Sequence, residues 1–586
     1  MMYGSIWHGQ ISSVLFLNSN LGSRVIVTTR NAVVAKLSCS PIDDTMYELD
    51  PLSYENSKRL FCKRTFHEDE EIHSELEVTQ KILKKCGGVP LAIITTASLL
   101  ASRPNKTRYE WCRVYKSMGS GLENDKTMEN MREILYLSYG DLPSYLKPCL
   151  LYLSMFPEDD VINRYTLVQI WVAEGFVVEK PGNDLYDLGD SYFNELVNRS
   201  MIQPVHINGS GVAISCRVHD MILDLIISLS ARENFATTIS EGSKQISPVC
   251  KVRRLSLQCS KLDRNKEESK EEEVITTAST VNMLHVRSLV AFGEFSQWMP
   301  PLAKFSVLRI LDLERFPSKK MHAKDLGNLH HLRYLKLGGE LETELLEEIG
   351  ILKLLKSLYL WNAAIKELPA SICRLEKLEY LQVSIGVKFL DGIGNLMSLQ
   401  QLEWLNVEQS PSTLAELGNL IKLRALGIHG LGGNDSYGEK FLKGLSNLTN
   451  LRGLAFSDKG ICSLDCMLDQ WRGPVHLQYF YGNRLTLSRV PLWFSSLSSL
   501  SSLGMQVNLL RQDDLELLGA LPVLRSLVLK VIPSGTTDER LEVGAGMPFR
   551  SLSEFEFDHY TRCYLVFAHG VMPKLQRIKL YFRVFS

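Results

Sequence analysis

A short leucine pattern returns at near-regular intervals along the C-terminal half of the chain and constrains its fold more than any other feature. Leu332-Arg-Tyr-Leu335-Lys-Leu337 is followed 23 residues later by Leu355-Lys-Ser-Leu358-Tyr-Leu360. Units of this kind, with Val, Ile, Phe or Met allowed at the leucine positions, start at Val252, Val286, Leu308, Leu332, Leu355, Leu378, Leu399, Leu423, Leu451, Leu477, Leu500, Leu524, Leu552 and Leu575. Twelve of the thirteen intervals measure 21 to 28 residues. Such units bury their apolar residues by stacking on one another, which predicts a solenoid.

A period of about 20–29 residues with the pattern L-x-x-L-x-L is typical of leucine-rich repeats. In each unit the apolar residues point into the stack and the intervening residues face the concave surface, because side chains alternate across a strand. Exposed aromatic side chains at such positions are typical anchors of protein interfaces. We therefore predict that the concave face binds a protein partner through Tyr334, Tyr359, Trp361 and Tyr380.

The composition predicts a soluble protein without an electrostatic preference for nucleic acid. The chain has 586 residues, of which 45% are apolar and 22% are charged, and its net charge is −1. Its 12 cysteines lack the spacing of a zinc site or a disulfide framework, which predicts reduced thiols, no metal and a cytoplasmic location. The longest apolar runs, such as Val89–Ala101, are shorter than the roughly 20 residues of a membrane helix. We expect neither a membrane span nor secretion, because the first residues lack signal-peptide character.

Two short apolar runs near the N-terminus, Val14–Leu17 and Arg24–Thr28, predict buried strands separated by a turn. The second run leads to Arg30, at the carboxyl end of a strand, where open α/β sheets bind their ligands. Further along, a helix is expected to end at Gly87-Gly88 and the next helix to begin at Pro90, since proline is tolerated at the first helical position.

The middle of the chain predicts helices followed by a β-hairpin, which is the order of a winged helix. Helical patterns cover residues 131–142, 150–155, 166–174 and 187–197, and strand patterns at 201–205 and 212–218 flank Asn208-Gly209, a strong hairpin signal. His219 then begins a helix over residues 220–231. No basic stripe lines a recognition helix, so nucleic acid is not the expected partner.

Four motifs precede the repeats in a fixed order: Gly22-Ser-Arg-Val-Ile-Val-Thr-Thr-Arg30, Cys86-Gly-Gly-Val-Pro-Leu-Ala92, Leu150-Leu-Tyr-Leu-Ser-Met-Phe-Pro-Glu-Asp159 and Val218-His-Asp220. In this order they resemble the motif series of plant NB-ARC leucine-rich-repeat immune receptors. The segment Trp171-Val-Ala-Glu-Gly-Phe176 is similar to that of the coiled-coil subclass of these receptors. The resemblance covers nearly the whole chain.

The resemblance implies a nucleotide-binding α/β domain, a helical domain and a winged-helix domain that close around ADP and open when ATP replaces it. It implies that Arg30 senses the terminal phosphate, that Pro90 packs against the adenine and that His219 meets the ADP phosphate. Each residue also has a plainer alternative. Arg30 could be a solvated charge, Pro90 could serve only to begin a helix, and His219 could be a surface histidine.

The chain lacks the pattern G-x-x-x-x-G-K-[ST], the loop whose backbone N–H groups surround nucleotide phosphates. The nearest segment, Gly4–Ile11, has the glycine spacing but carries Gln10 and Ile11 where Lys and a hydroxyl are required. A strand ending in paired acidic residues, which positions Mg²⁺, is also missing. We therefore expect a chain that is truncated at its N-terminus, binds ADP or ATP weakly or not at all, and does not hydrolyse ATP.

The expected fold class is α/β plus α, the remnant of an NB-ARC module, followed by a leucine-rich-repeat solenoid. We expect a partial nucleotide-binding domain at residues 1–46, a helical domain at 47–125, a winged helix at 126–232, a linker at 233–250 and repeats at 251–586.

The expected function is that of a plant defence receptor that binds a pathogen effector, or a host protein that it guards, through its repeats. Full-length receptors of the same family are a further expected partner. Two alternatives stay open. The chain could be a fragment of a complete ADP-binding ATPase switch from an incomplete gene model, or a plain leucine-rich-repeat interaction adaptor for a ubiquitin ligase.

Overall fold

A computed structural model gives the fold of this chain as two compact units, Met1–Ile134 and Leu135–Ser586. It describes residues 47, 49–65, 76–102, 108–117, 127–208, 211–240, 251–258, 281–293, 302–314, 323–361, 363–431, 435–457, 473–533, 539–544, 546–561 and 563–582. The predicted strands Val14–Leu17 and Arg24–Thr28, the predicted α/β domain of residues 1–46, and Arg30 therefore lie outside the described residues.

The first unit is helical over its described residues. Its helices are α1 (Tyr54–Thr65), α2 (Leu76–Cys86), α3 (Pro90–Ala101), α4 (Arg108–Ser117) and the start of α5 (Thr127–Gly140). The predicted helix end before Gly87-Gly88 and the predicted start at Pro90 are confirmed. Gly88 has φ +71°, and a Cβ there would lie 2.6 Å from the Leu52 carbonyl oxygen, so this tight turn requires glycine.

The second unit begins with the predicted winged helix. Its helices are α6 (Leu146–Tyr152), α7 (Arg164–Glu174), α8 (Leu185–Asn198) and α9 (Asp220–Arg232), and its strands are β1 (Ile162–Asn163), β2 (Gln203–Pro204) and β3 (Ser215–Arg217). The strands form an antiparallel sheet in the order β1-β3-β2. The predicted hairpin is confirmed in β2 and β3.

A parallel sheet of 15 strands follows among the described residues, and its strands are hydrogen-bonded in chain order. These are β4 (Thr237–Ile239), β5 (Arg254–Gln258), β6 (Ser288–Phe292), β7 (Ile310–Leu313), β8 (Tyr334–Leu337), β10 (Ser357–Leu360), β13 (Tyr380–Val383), β15 (Gln401–Asn406), β16 (Ala425–His429), β17 (Gly453–Phe456), β18 (Tyr479–Leu487), β19 (Ser502–Val507), β20 (Ser526–Val531), β22 (Glu554–His559) and β24 (Arg577–Phe582). Three short parallel pairs flank this sheet: β9 (Gly339–Glu340) with β11 (Ala363–Ala364), β12 (Glu367–Leu368) with β14 (Lys388–Phe389), and β21 (Glu539–Val543) with β23 (Cys563–Phe567).

The repeat leucines form ladders that hold neighbouring strands in register. Leu335 pairs with Leu358, Leu358 with Leu381, and Leu381 with Leu402, and all four side chains are buried. Short helices connect the strands and close this leucine core: α10 (Ala323–Gly327), α11 (Thr343–Ile349), α12 (Thr413–Glu416), α13 (Asp435–Leu445) and α14 (Gln512–Gly519). The predicted leucine-rich-repeat solenoid is thus confirmed.

The segment predicted as a linker, residues 233–250, contributes strand β4 to the large sheet. Thr237 pairs with Leu255 and Ile239 pairs with Leu257, so β4 extends the repeat sheet back to the winged helix. Three β-branched residues suit an edge strand. The run is too short to stand out in the sequence, and only its pairing with β5 identifies it.

Candidate functional site

The two described residues that the resemblance assigns to nucleotide binding both have structural roles at helix starts. Pro90 is exposed at the first position of α3, where its missing N–H costs no hydrogen bond. His219 is the N-cap of α9, and its Nδ1 accepts a hydrogen bond from the Met221 backbone N–H at 3.2 Å. His219 Nδ1 therefore serves the helix cap, and Pro90 has no N–H to donate.

The winged helix covers most of the aromatic side chains that the sequence assigns to partner binding. Tyr334 is 0% exposed, so the prediction of its exposure is wrong. The Tyr359 hydroxyl donates to Gln169 Oε1 of α7 at 2.5 Å. The Tyr380 ring lies 4.6 Å from that of Tyr186 in α8, in an edge-to-face contact. Strand alternation identifies the sheet face correctly, but it carries no information about what packs on that face.

Trp361 is the remaining predicted residue, and its side chain is 40% exposed. Its ring lies 6.5 Å from that of Trp404, which has φ +69°, a left-handed conformation that is strained for a tryptophan. Trp404 lies where the register of β15 shifts between Leu402 and Leu405. Bulges of this kind reorient side chains next to functional sites. The two tryptophans, called the tryptophan pair below, are therefore the best candidate for a partner-binding anchor.

A buried ion pair joins the end of α7 to the first repeats. Arg254 Nη2 lies 2.8 Å from Glu174 Oε2, and the two side chains are 7% and 0% exposed. Glu174 also accepts a hydrogen bond from the Ser288 hydroxyl. The Arg254 guanidinium packs over the rings of Phe176, at 5.0 Å, and Phe235, at 4.1 Å. Charges buried in this way require a partner, so the pair fixes the winged helix on the repeats.

Two further arginines bind the C-terminal end of α7. Arg309 Nη1 donates to the Glu174 carbonyl oxygen at 3.1 Å, and Arg333 Nη1 donates to the Ala173 carbonyl oxygen at 3.3 Å. The last carbonyls of a helix lack intrahelical partners and carry the negative end of its dipole. The two guanidinium groups donate hydrogen bonds to these carbonyls and place positive charge beside the negative end of the dipole.

Acidic residues at the start of α8 contact later repeats. Asp184 is the N-cap of α8 and accepts from the backbone N–H groups of Tyr186 and Asp187. Asp184 also pairs with Arg424 at 3.0 Å, and Asp187 pairs with Arg424 at 3.5 Å and with Arg452 at 3.3 Å. The winged helix is thus held on the sheet at β5–β8 and again at β16–β17.

Sequence reasoning missed the repeat arginines, although their signal was present. A basic residue follows the first apolar residue of many repeats, at Arg253, Arg287, Arg309, Arg333, Lys356, Arg424, Arg452 and Arg525. In any single repeat, the simplest interpretation of such a basic residue is a solvated charge. Its role follows only from the position of α7 and α8 against the sheet.

Within the part of the chain that the structure describes, no helix has the length and apolar character needed to cross a membrane. Nor does any group of three or more His, Cys, Asp or Glu residues have the arrangement of a metal site in that part.

Comparison with known families matches both structural parts of the second unit. Residues 285–586 match a family described as leucine-rich repeat region, and residues 155–226 match a family described as disease resistance protein winged helix domain. The second match contains α7 and α8, the helices that bind the sheet.

Comparison with individual proteins gives several plant relatives. Disease resistance protein RGA5 of Oryza sativa subsp. japonica is 32% identical, over 99% of this chain and 52% of that protein. Disease resistance protein Pik-2 of the same plant is 33% identical, over 64% of this chain and 37% of that protein. ToMV susceptible protein tm-2 of Solanum lycopersicum is 29% identical, over 65% of this chain and 44% of that protein. The chain spans about half the length of RGA5 and less of the other two.

Proposed function

The chain belongs to the leucine-rich-repeat disease resistance proteins of plants, and from this premise we propose that it is an immune receptor that recognises a protein through its repeats. The ligand is a pathogen effector or a host protein altered by one, and other receptors of the family are further partners. The observation that carries this proposal is Trp361 of the tryptophan pair, which is exposed beside a sheet face that the winged helix already covers.

The same geometry supplies a mechanism of regulation for this proposal. A protein that binds Trp361 approaches the face that Tyr359 and Tyr380 share with α7 and α8. Such a partner competes with those helices for the sheet if it extends toward β8. Recognition then loosens the winged helix, and binding energy rather than catalysis changes the state of the receptor.

Co-expression in leaves tests the proposal. The chain would be expressed with a panel of pathogen effectors, and each would be scored for defence-associated cell death and co-purification. We expect Trp361→Ala to abolish the response to the effector that the chain recognises. Met397→Ala is the matched control, because Met397 is also exposed (63%) but lies in a loop before β15. Equal responses from both variants would remove the tryptophan pair from the recognition surface.

We propose that this chain, taken by itself, does not bind a nucleotide tightly enough to be switched by it. The sequence does not contain G-x-x-x-x-G-K-[ST], Pro90 has no N–H, and His219 Nδ1 accepts the hydrogen bond that caps its helix. Charge-assisted hydrogen bonds to phosphate are individually worth about 1.5–3 kcal/mol, so their loss removes tight binding. We expect purified chain to retain less than stoichiometric ADP, measured by chromatography of the supernatant after denaturation. One ADP per chain would contradict this and show that the chain binds nucleotide tightly.

A cytoplasmic location is part of the proposal. Among the described residues, cysteines are free thiols, and several are buried. Burial raises the pKa of Cys86 to about 11 and that of Cys216 to about 12, so both thiols stay protonated and unreactive at neutral pH. Unpaired thiols support a reducing compartment.

A further inference from the structure

A cavity of about 340 Å³ opens beside the first four full repeats, at the turns that lead into strands β5 to β8. One of its lining residues is Val307. The others are cationic or can become so: Lys251, Arg253, His285, Arg287, Arg309 and His331. This concentration of positive charge occurs in a chain whose net charge is −1, so composition does not account for it.

The repeat architecture builds the cavity wall from two columns. Arg253, Arg287 and Arg309 each follow the first apolar residue of a repeat. The Arg287 N–H donates to the Arg253 carbonyl oxygen at 2.7 Å, and the Arg309 N–H donates to the Arg287 carbonyl oxygen at 2.7 Å. Neighbouring strands lie about 4.8 Å apart, so these arginines start from backbone positions at that spacing. The second column includes His285 and His331, each of which precedes the first apolar residue of its repeat.

Three cations of the cavity, Lys251, Arg253 and Arg287, form no ion pair with an acidic side chain among the residues that the structure describes. Burial, and then the charge of Arg309, lowers the pKa of Arg287. Glu174 opposes this lowering, but its carboxylate is already bound by Arg254 and Ser288. An anion inside the cavity would relieve this repulsion.

Phosphate is the anion that fits this arrangement. Guanidinium groups bind phosphate with two parallel hydrogen bonds, and one phosphate can bridge two arginines on adjacent strands. Three stacked arginines suit a ligand with more than one phosphate. The volume lies near the lower end of small-molecule sites, about 300–1,000 Å³, and therefore suits a small ligand. We propose that this cavity binds a small oligophosphate through Arg253, Arg287 and Arg309, with Lys251, His285 and His331 at its rim.

The site is separate from the tryptophan pair but connected to the winged helix. Arg309 lines the cavity and also donates to the last carbonyl of α7. A bound phosphate therefore holds Arg309 in place and stabilises the contact between α7 and the repeats. The site needs neither a protein partner nor the nucleotide switch, so it can be tested on the purified chain alone.

Calorimetric titration of the full chain with sodium tripolyphosphate tests the site. We expect one binding event per chain that weakens as salt is raised. The double variant Arg253→Gln/Arg287→Gln is expected to weaken it by about tenfold or more. The control Lys377→Gln/Lys422→Gln removes two exposed charges from the repeat position of Lys251 but outside the cavity, and its affinity should equal that of the parent. Circular dichroism would establish that both variants are folded.

A second arm distinguishes a free ligand from a lipid headgroup. Phosphatidylcholine vesicles with and without phosphatidylinositol bisphosphate would be sedimented with the chain. Vesicle binding that is lost in the arginine variant but kept in the lysine control supports a site for a lipid headgroup. Tripolyphosphate binding without vesicle binding supports a site for a free oligophosphate. Absence of binding in both arms, or equal losses in the two variants, would overturn the proposal.

Discussion

Glu174 and Arg254 place two opposite charges in the interior, and the stability of the second unit depends on both being present. Glu174→Gln removes the negative charge and leaves Arg254, 7% exposed, without its ionic partner. Removal of one member of a buried pair typically destabilises by about 3–5 kcal/mol. We expect a loss near the lower end of this range, since glutamine keeps a hydrogen bond, measured by urea unfolding of the full chain.

A matched exposed pair provides the control for this prediction. Glu367 lies 3.8 Å from Lys388, and their side chains are 52% and 46% exposed. Glu367→Gln should therefore change the unfolding free energy by less than about 1 kcal/mol. Comparable losses for the two substitutions would show that burial of the Glu174 pair has no special energetic role.

Glu403 provides a pH-dependent prediction. Burial raises the pKa of this carboxyl, and hydrogen bonds from Gln401 and Gln382 lower it in part. A raised folded-state pKa means that its favourable contribution is present below the unfolded pKa and is lost as pH rises through the folded pKa. Glu403→Gln should thus raise the thermal midpoint at pH 7 and have a smaller effect near pH 4. A variant that is less stable than the parent at pH 7 would contradict this.

Single residues were only partly predictable from the sequence. Pro90 begins its helix as expected, because proline's missing N–H fixes its place locally. Tyr334 was expected on the surface and is buried, because its environment is set by α7, which lies more than 150 residues earlier in the chain. His219 was expected before a helix, but its capping bond is an unusual use of histidine that propensity does not foresee.

At the scale of elements, α8 is held by a residue with two functions. Asp184 caps the helix and pairs with Arg424. Asp184→Asn keeps a capping oxygen and loses only the charge, which costs about 0.2–1 kcal/mol at a partly exposed pair. Asp184→Ala loses both and should cost about 1–2 kcal/mol. Hydrogen exchange of the amides in the first turn of α8 measures the difference. Equal exchange in the two variants would assign the whole effect to the ion pair.

The repeats and helices were predictable because each carries its own period. Leucine spacing identified the ladder from Leu335 to Leu402, and Asn208-Gly209 identified the hairpin. Strand β4 was missed because three residues show no period. The contact between winged helix and sheet was missed for a different reason, since it depends on residues from distant parts of the chain, such as Asp187 and Arg452.

For the whole molecule, the central claim is that one sheet serves two partners. The winged helix occupies it from inside the chain, and Trp361 beside it remains available to a protein from outside. Buried and ionic contacts hold the winged helix on the sheet. An exposed tryptophan such as Trp361 is a typical anchor for a protein partner. A partner displaces the winged helix from the sheet if it binds the chain more tightly when this domain is off the sheet than when it is on it.

Calorimetry with the partner recovered from the leaf experiment tests this claim most directly. The parent chain, Trp361→Ala and the control Met397→Ala would be titrated with that partner, after each variant's folding has been established by circular dichroism. The account predicts that Trp361→Ala weakens binding by more than about 1 kcal/mol, roughly fivefold, while Met397→Ala leaves it unchanged. An unchanged affinity for Trp361→Ala would contradict recognition through this surface.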